Sequence, residues 1–489
     1  MLEQTPIEKR FIHLIHMPYG WYVYDVNRDR ILKVGQDVYM YLEAEQHGDQ
    51  AAMARLLPPV EKKIQTLKDN QFLSCSHPEE MCHPATDNLN TILSKNVEKI
   101  TLQVTQQCNL RCKYCIYAET NHEGQRKHSI NKMTWDVAKA ALDFLAEHSY
   151  EERAVNVGFY GGEPMLNFTL VKKCINYAKD IFEGKKLTFS LTTNGTIFTP
   201  EIVDYLCKHK VSITISLDGP GEIHDKRRVF RDSDRSTFTK VMENFEWIKR
   251  DYPEFFDTIS ISTVLDPSED YHCMDEFFKT LRVNGDRAMT VAASFADDTY
   301  SEEKNIFQDE FIPRMDYELF NVLLSLSGRF SSSKLSAIAK TQYLLLYDKF
   351  ENKVAPSIIP PKSAPGGPCI AGKTRLFVDV FGNLLPCERV SETSECMRIG
   401  HIDSGFNLEK AKALINVAQF TSEECKHCFA FWYCSICARQ CDNKGCLEAQ
   451  TKRKNCANSK ASVEGDLRSY IAILEIQKAL QERNRKNVT

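Results

Sequence analysis

Three cysteines fall in the run Cys108-Asn109-Leu110-Arg111-Cys112-Lys113-Tyr114-Cys115, and ten more crowd between Cys369 and Cys456. Three thiolates can hold three irons of a 4Fe-4S cluster and leave the fourth iron open. An open position is what lets a metal site bind substrate rather than serve structure alone. Zinc normally takes four ligands from paired Cys-x2-Cys units, so three thiols at x3 and x2 spacing fit it poorly. The chain has 489 residues, 18 cysteines and a formal net charge of -4, a balance that gives no long-range attraction to nucleic acid or anionic lipid. Met1 to Arg10 is polar, Phe11 to Met17 is too short for a signal core, and no apolar run approaches the ~18 residues of a membrane span. These features predict a soluble, cytoplasmic protein with no nucleic-acid or membrane partner. In that reducing compartment the thiols point to metal, cluster or redox chemistry rather than to disulfides.

The elements that must position these residues read as three blocks. Phe11–Ile15, Gly20–Tyr24 and Ile31–Val34 are strand-like, and short helices follow from about Asp37 to Asn70. From Lys99 to about Ala293 strands alternate with helices: Ile100–Thr105, Ala154–Tyr160, Leu187–Thr192, Val211–Leu217, Thr258–Val264 and Ala288–Ala292, separated by helical stretches such as Phe168–Phe182 and Phe238–Arg250. That alternation predicts an α/β fold with a parallel sheet and right-handed crossovers, and six units predict a partial (β/α)6 barrel of the TIM type. Cys108 directly follows the first of these strands, at the face where catalytic groups of barrels gather. Residues 300 to 350 read as helical, Ala355–Pro368 as a proline- and glycine-rich linker, and Val463–Arg485 as a charged amphipathic helix. Cys174, at helical spacing with Val171, Ile175 and Ala178, reads as core packing, as do Cys207 and Cys273. Cys75 and Cys82, near His77 and His83, are separated by a gap that matches no common zinc ligand pair.

Cys-x3-Cys-x2-Cys with an aromatic residue, Tyr114, before the third cysteine resembles the signature of the radical S-adenosylmethionine enzymes. Gly161-Gly162-Glu163-Pro164, after the second strand, is similar to that family's motif for the methionine amino group, with glycines that let backbone approach the ligand and Glu163 as acceptor. Thr193-Asn194-Gly195 and Ser216-Leu217-Asp218-Gly219-Pro220 end the third and fourth strands in the same manner. Ser216 and Arg228 match cofactor-contacting positions of the peptide-modifying branch, Arg228 being suited to the methionine carboxylate. Its alternative is a surface charge in the run Lys226-Arg227-Arg228. The resemblance implies that Cys108, Cys112 and Cys115 hold a 4Fe-4S cluster whose open iron chelates S-adenosylmethionine. Reductive cleavage then gives a 5′-deoxyadenosyl radical that takes hydrogen from substrate, with electrons from an external donor such as flavodoxin or ferredoxin.

The C-terminal cysteines resemble the SPASM domain, an auxiliary module that usually carries two further 4Fe-4S clusters. By position Cys425, Cys428, Cys434 and Cys456 would hold an outer cluster, and Cys369, Cys387 and either Cys437 or Cys441 an inner one. Cys434 and Cys437 are two residues apart where the family has three, and no cysteine lies between Cys273 and Cys369 where fully ligated versions carry one. This departure implies an inner cluster with an open iron for a substrate thiolate, unless Cys396 completes the set; Cys446 has no assigned role. Glu388 follows Cys387 where sulfatase-activating relatives carry an aspartate base, so a catalytic proton acceptor and an ordinary surface glutamate are both open.

The N-terminal block is similar to the winged-helix-like peptide-recognition elements of ribosomal-peptide maturases, which add a leader peptide to a sheet edge; a capping subdomain is the alternative. The expected divisions are 1–95 for leader recognition, 96–300 for the barrel, 301–365 for a helical bridge and linker, 366–460 for the SPASM domain and 461–489 for a C-terminal helix. Together they resemble the thioether-forming sactipeptide and ranthipeptide maturases, including the freyrasin type, whose partner is a ribosomally synthesised, cysteine-rich precursor peptide. The rivals are anaerobic sulfatase maturation to formylglycine and, outside enzymes, a zinc-binding structural protein.

Overall fold

The structure is a computed structural model that describes residues 9–115, 128–283, 287–295, 306–352 and 358–486. Strands β1 (Ile12–Met17), β2 (Gly20–Asp25) and β3 (Arg30–Val34) form an antiparallel meander in the order β1-β2-β3, and helices Gln36–His47 and Gln50–Asp69 follow. The period-two side-chain alternation of strands gives this small sheet two apolar faces. Ile12 and Val23 pack under the helices with Leu42, Val60 and Ile64. Phe11, Ile15, Tyr22 and Tyr24 pack on the opposite side against Phe431, Tyr433, Val463 and Leu467. The module expected to be winged-helix-like is thus a strand meander clamped between its own helices and the C-terminal block. His13 stacks on Phe429 with ring centroids 3.9 Å apart, and the Trp432 indole donates to the Val26 carbonyl at 2.7 Å. The two-residue strand β4 (Glu80–Met81) leads toward the barrel.

Six strands then run parallel in chain order: β5 (Lys99–Thr105), β6 (Ala154–Gly161), β7 (Lys186–Thr193), β8 (Ser212–Ser216), β9 (Ser260–Leu265) and β10 (Thr290–Phe295). Alternate residues such as Ile100, Leu102, Val157, Phe159, Ile213, Ile215 and Ile261 are buried in the core under the crossover helices. The other face is polar. Asn156 donates to Thr188 at 2.9 Å, Ser190 to Asn156 at 3.0 Å, and the Thr214 and Ser260 hydroxyls lie 3.1 Å apart. Gly158 lies among these groups, where a Cβ would come within 2.9 Å of Thr101 Oγ1. A hydrocarbon-filled lumen would need branched apolar residues at these positions; this one is lined with hydrogen-bonding groups.

The third block does not stand apart from the barrel. Strand β11 (Lys362–Ser363) pairs with β4, and β12 (Leu376–Val378) pairs parallel to β5. Strands β13 (Asn383–Leu385), β14 (Gly400–His401) and β15 (Gly405–Phe406) then continue the sheet antiparallel, so ten strands share it. Leu376, Phe377 and Val378 have no exposure and seal that edge. The proline- and glycine-rich stretch expected to be a linker begins outside the described residues, at 353–357, but its remainder is packed. A Cβ on Gly366 or Gly367 would fall 2.2 Å from the Trp432 carbonyl oxygen or 2.0 Å from that of Ile436, so these glycines permit close chain crossing rather than looseness. The bridge consists of helices Phe311–Leu326 and Ala337–Glu351. The last helix runs Ala449–Lys486, starting well before the expected Val463 and carrying Cys456. Cys174 is fully buried on helix Phe168–Ile181, among packed core residues. Among the described residues no helix is long and apolar enough to cross a membrane.

Because Phe377 is fully buried where the third block joins the sheet, Phe377→Ala is expected to lower stability by about 3–5 kcal/mol. Anaerobic denaturant unfolding measures this; a loss below about 1 kcal/mol would mean that the added strands are not part of the core.

Candidate active site

Immediately after β5 the chain turns into the cysteine loop, which lies antiparallel along residues 227–231. The Arg111 amide donates to the Val229 carbonyl at 2.8 Å, Lys113 to Arg227 at 2.9 Å, and Arg231 back to Asn109 at 2.9 Å. The loop is held from the other side by the end of β7. Asn194 Nδ2 donates to Asn109 Oδ1 at 2.8 Å and lies 4.0 Å from Cys108 Sγ, while Asn109 Nδ2 donates to Thr196 Oγ1 at 2.9 Å. Cys108 is buried, and Cys112 and Cys115 are half-buried. Burial raises the Cys108 thiol well above its ordinary value, with Glu163, Cys112 and Cys115 adding to the rise. Burial also pushes Cys112 up to about 12, against the pull of Arg228. Burial thus keeps the bare Cys108 and Cys112 thiols protonated, and a bound cation is what would make thiolates of them. Their mutual proximity on one loop, with Arg228 Nη1 3.9 Å from Cys112 Sγ, fits a group that carries several iron corners. Among the described residues no three His, Cys, Asp or Glu side chains converge as ligands of a single metal ion.

The Gly161-Gly162-Glu163 turn at the end of β6 presses on the segment leading into the cysteine loop. A Cβ on Gly161, at φ +140°, would fall 2.2 Å from the Thr105 carbonyl oxygen, and one on Gly162 2.1 Å from that of Gln107. The amides of Gly162 and Glu163 donate to those same carbonyls at 2.9 and 2.8 Å. These glycines therefore let two backbones approach closely. Glu163 has no exposure, and its carboxylate accepts from the Met165 amide at 3.1 Å, Thr193 Oγ1 at 2.7 Å and the Asn194 amide at 2.8 Å. Burial pushes its carboxyl up to about 6, against the lowering effect of these donors. Glu163 thus ties the ends of β6 and β7 together.

Arg228 is 7% exposed, which removes the surface-charge alternative. Its Nε donates to Asp218 Oδ2 at 2.8 Å and its Nη2 to Oδ1 at 3.3 Å. Asp218 also accepts from the Tyr114 hydroxyl and from the Val264 amide at 3.1 Å. The Arg228 guanidinium lies 5.4 Å from the centroid of the Tyr114 ring. Burial works against the Asp218 carboxylate, but Arg228 and Tyr114 overcome it and hold the group below the usual range. Tyr114 is thereby a clamp on the cysteine loop through Asp218, which belongs to the motif that ends the fourth strand but had no role of its own in the sequence. Ser216 ends β8 in register with Ser262, on the polar face.

The C-terminal thiols divide into groups. Cys437 is raised by burial and in part by Cys369, and Cys387 by burial to about 12 and in part by Cys437, so these three are neighbours. Glu388 beside them is ion-paired to Arg375. A second group joins Cys425, Cys428, Cys434 and Cys456, each of the last three being close enough to raise or be raised by another member. Lys452, 3% exposed, donates to Cys425 Sγ at 3.1 Å and also to the Thr421 hydroxyl. A buried ammonium beside a thiol suits a site rich in negative charge; nothing in the periodicity marked this lysine. Cys441 donates to the Cys437 carbonyl at 3.4 Å and faces Cys434 and Cys456 as well as Cys437. Cys396 is in neither group: it contacts Ser394 and Asp442.

Residues 102–281 match the family model described as Radical SAM superfamily, and the chain thus contains a radical SAM domain. It is 26% identical over 194 residues to the radical SAM cyclopropyl synthase TigE of Paramaledivibacter caminithermalis, covering 35% of this chain and 41% of that protein. It is 25% identical over 360 residues to a cysteine-type anaerobic sulfatase-maturating enzyme of Clostridium novyi, covering 71% of this chain and 88% of that enzyme. The fold is shared with native anSMEcpe with bound AdoMet, at a TM-score of 0.55 and 18% identity over 77% of this chain and 98% of that one. It is likewise shared with native anSMEcpe with bound AdoMet and Cp18Cys peptide, at 0.55 and 20% over 78% and 99%.

Gly162→Ala is expected to displace the cysteine loop and at least halve the iron retained after anaerobic reconstitution, whereas Gly465→Ala, with no atom within 4 Å of the new Cβ, leaves it unchanged. Equal iron in both would contradict the backbone contact. Glu163 gives a pH dependence. Its folded value of about 6 lies above the ordinary 4.5, so the unfolded chain ionises first. Its contribution is complete below about pH 4.5 and is lost as pH rises through about 6, roughly 2 kcal/mol in all. The stability of wild type minus that of Glu163→Gln should fall by that amount from pH 4.5 to 7; a flat difference would contradict it.

Proposed function

We propose that the protein is a radical S-adenosylmethionine peptide maturase that forms a thioether within a ribosomally synthesised, cysteine-containing precursor peptide. One observation carries the reading: three clustered cysteines sit on a loop at the C-terminal end of β5, fastened by backbone pairing to 227–231 and by the Asp218–Arg228–Tyr114 contacts. When bound, a 4Fe-4S cluster on Cys108, Cys112 and Cys115 together with S-adenosylmethionine supplies a 5′-deoxyadenosyl radical able to take hydrogen from carbon. The chain's own residues do the rest. Gly161 and Gly162 set the loop against β6, and Ser216 presents a hydroxyl at the rim. Arg228 supplies positive charge beside Cys112, and the polar concave face accommodates a peptide backbone.

Cys369, Cys387 and Cys437 would hold an inner auxiliary cluster with one iron left for a substrate thiolate, and Cys425, Cys428, Cys434 and Cys456 an outer one. The electrostatic contact of Cys437 with Cys369 and Cys387 supports Cys437 over Cys441 as the third ligand. Glu388, held by Arg375 next to Cys387, is the proton acceptor for the thiol that becomes the thioether sulfur. The β1-β2-β3 meander would take the leader of the precursor along an edge. An external flavodoxin or ferredoxin would supply electrons.

The similarity to a sulfatase-maturating enzyme over 88% of its length favours a second reading, oxidation of a cysteine or serine to formylglycine. The peptide product separates them. Thioether formation removes two hydrogens and keeps the sulfur; formylglycine formation from cysteine removes the sulfur and leaves an aldehyde. Tandem mass spectrometry of the peptide from the anaerobic reaction is expected to find the sulfur retained in a crosslink; an aldehyde would favour the second reading. Alanine at Cys108, Cys112 or Cys115 is expected to abolish release of 5′-deoxyadenosine, and retained cleavage would overturn the assignment.

A further inference from the structure

Two C-terminal cysteines lie apart from both auxiliary thiol groups and next to each other. Cys396 lies in the short turn of helix Glu395–Met397, and Cys446 opens the second arm of a hairpin in which Asp442–Asn443 pairs with Cys446–Leu447. The Cys396 amide donates to the Gly445 carbonyl at 3.2 Å, so the residue bonded to that carbonyl, Cys446, is its neighbour across the contact. A disulfide spans Cα atoms about 4.4–6.8 Å apart, and this backbone contact sets Cys396 and Cys446 side by side. The hairpin is rigidly turned. Lys444 and Gly445 have φ of +53° and +95°, and the Gly445 amide donates to Asp442 Oδ1 at 3.0 Å. That same oxygen accepts from the Cys396 thiol at 3.6 Å, and the Ser394 hydroxyl lies 3.2 Å from the sulfur. Cys446 is exposed and Cys396 half-buried.

We propose that Cys396 and Cys446 are a redox-active dithiol, separate from the cluster ligands, that reacts with low-molecular-weight disulfides and closes to a Cys396–Cys446 bridge. Exposure makes Cys446 the sulfur an incoming disulfide RSSR reaches first. Its thiolate attacks one sulfur, giving a Cys446–SR mixed disulfide and releasing one RSH. Cys396 then attacks the Cys446 sulfur and expels the second RS⁻, which leaves as RSH with the proton that Cys396 gives up. Two protein thiols are oxidised by two electrons, and one disulfide is reduced to two thiols. The bridge would close the loop that carries Cys425, Cys428, Cys434, Cys437 and Cys441, stapling that loop to the segment after Cys387. The inference holds whatever peptide the barrel modifies.

The test uses the anaerobically purified holoenzyme and oxidised glutathione, followed by alkylation under denaturing conditions and peptide mapping. Wild type is expected to yield peptides joined through Cys396 and Cys446, lacking two hydrogens and protected from alkylation. Cys396→Ser is expected to stop at glutathione on Cys446, and Cys446→Ser to leave Cys396 alkylated. Wild type that keeps glutathione on Cys446, or in which both thiols are alkylated, would overturn the proposal. Iron content supplies the second readout. The double variant Cys396→Ser/Cys446→Ser is expected to retain the wild-type iron, and loss of a cluster's iron would make the pair ligands instead.

Discussion

Asp218 carries a full charge with no exposure, at the end of β8, and accepts from Arg228, Tyr114 and the Val264 amide. A buried carboxylate that loses its partner costs about 3–5 kcal/mol, so both side chains are required in place. Arg228 belongs to the segment that pairs with the cysteine loop, and Tyr114 belongs to the loop itself. One charge therefore fixes the two strands of that pairing relative to the sheet. The Gly161-Gly162 contact with Thr105 and Gln107 holds the root of the loop, and Asn194 holds its first turn. The loop needs no regular secondary structure of its own because three neighbouring strand ends define it.

The same economy joins the barrel to the cysteine-rich block. Gln103, fully buried at the upper end of β5, donates to Glu392 and accepts from the Val380 amide at 3.1 Å. Gln106 donates to the other Glu392 oxygen at 3.2 Å. These contacts run from the residues just before Cys108 to the segment just after Cys387. Pairing of β12 with β5 makes the two blocks one sheet, so the thiol groups of the C-terminal block and the barrel loop keep a fixed separation. The N-terminal meander rests in turn on Phe429 and Trp432, between the outer-group cysteines Cys428 and Cys434.

Much of this was legible. The barrel strands announce themselves by alternation with helices, and the cysteine loop by its spacing and its place after a strand. The remainder was hidden for physical reasons. Strands of two or three residues, such as β12 to β15, are too short to show a period. The start of the last helix is polar, and its buried positions, Lys452 and Ser459, face thiols rather than an apolar core, so periodicity begins only at Val463. Asp218 is legible as part of the motif that ends the fourth strand, but its role depends on contacts with Arg228, ten residues on, and with Tyr114, far off in sequence. The glycines were legible as a close approach, but which surface they approach is set by the register of β5 and β6.

The central claim is that this architecture directs a radical at a carbon of a peptide. The most direct measurement incubates the reduced, reconstituted enzyme with S-adenosylmethionine and a cysteine-containing precursor peptide deuterated at candidate acceptor residues. Mass analysis of the 5′-deoxyadenosine formed should find deuterium transferred from the peptide in proportion to product. Deuterium-free 5′-deoxyadenosine alongside modified peptide, with every acceptor residue labelled in turn, would contradict it.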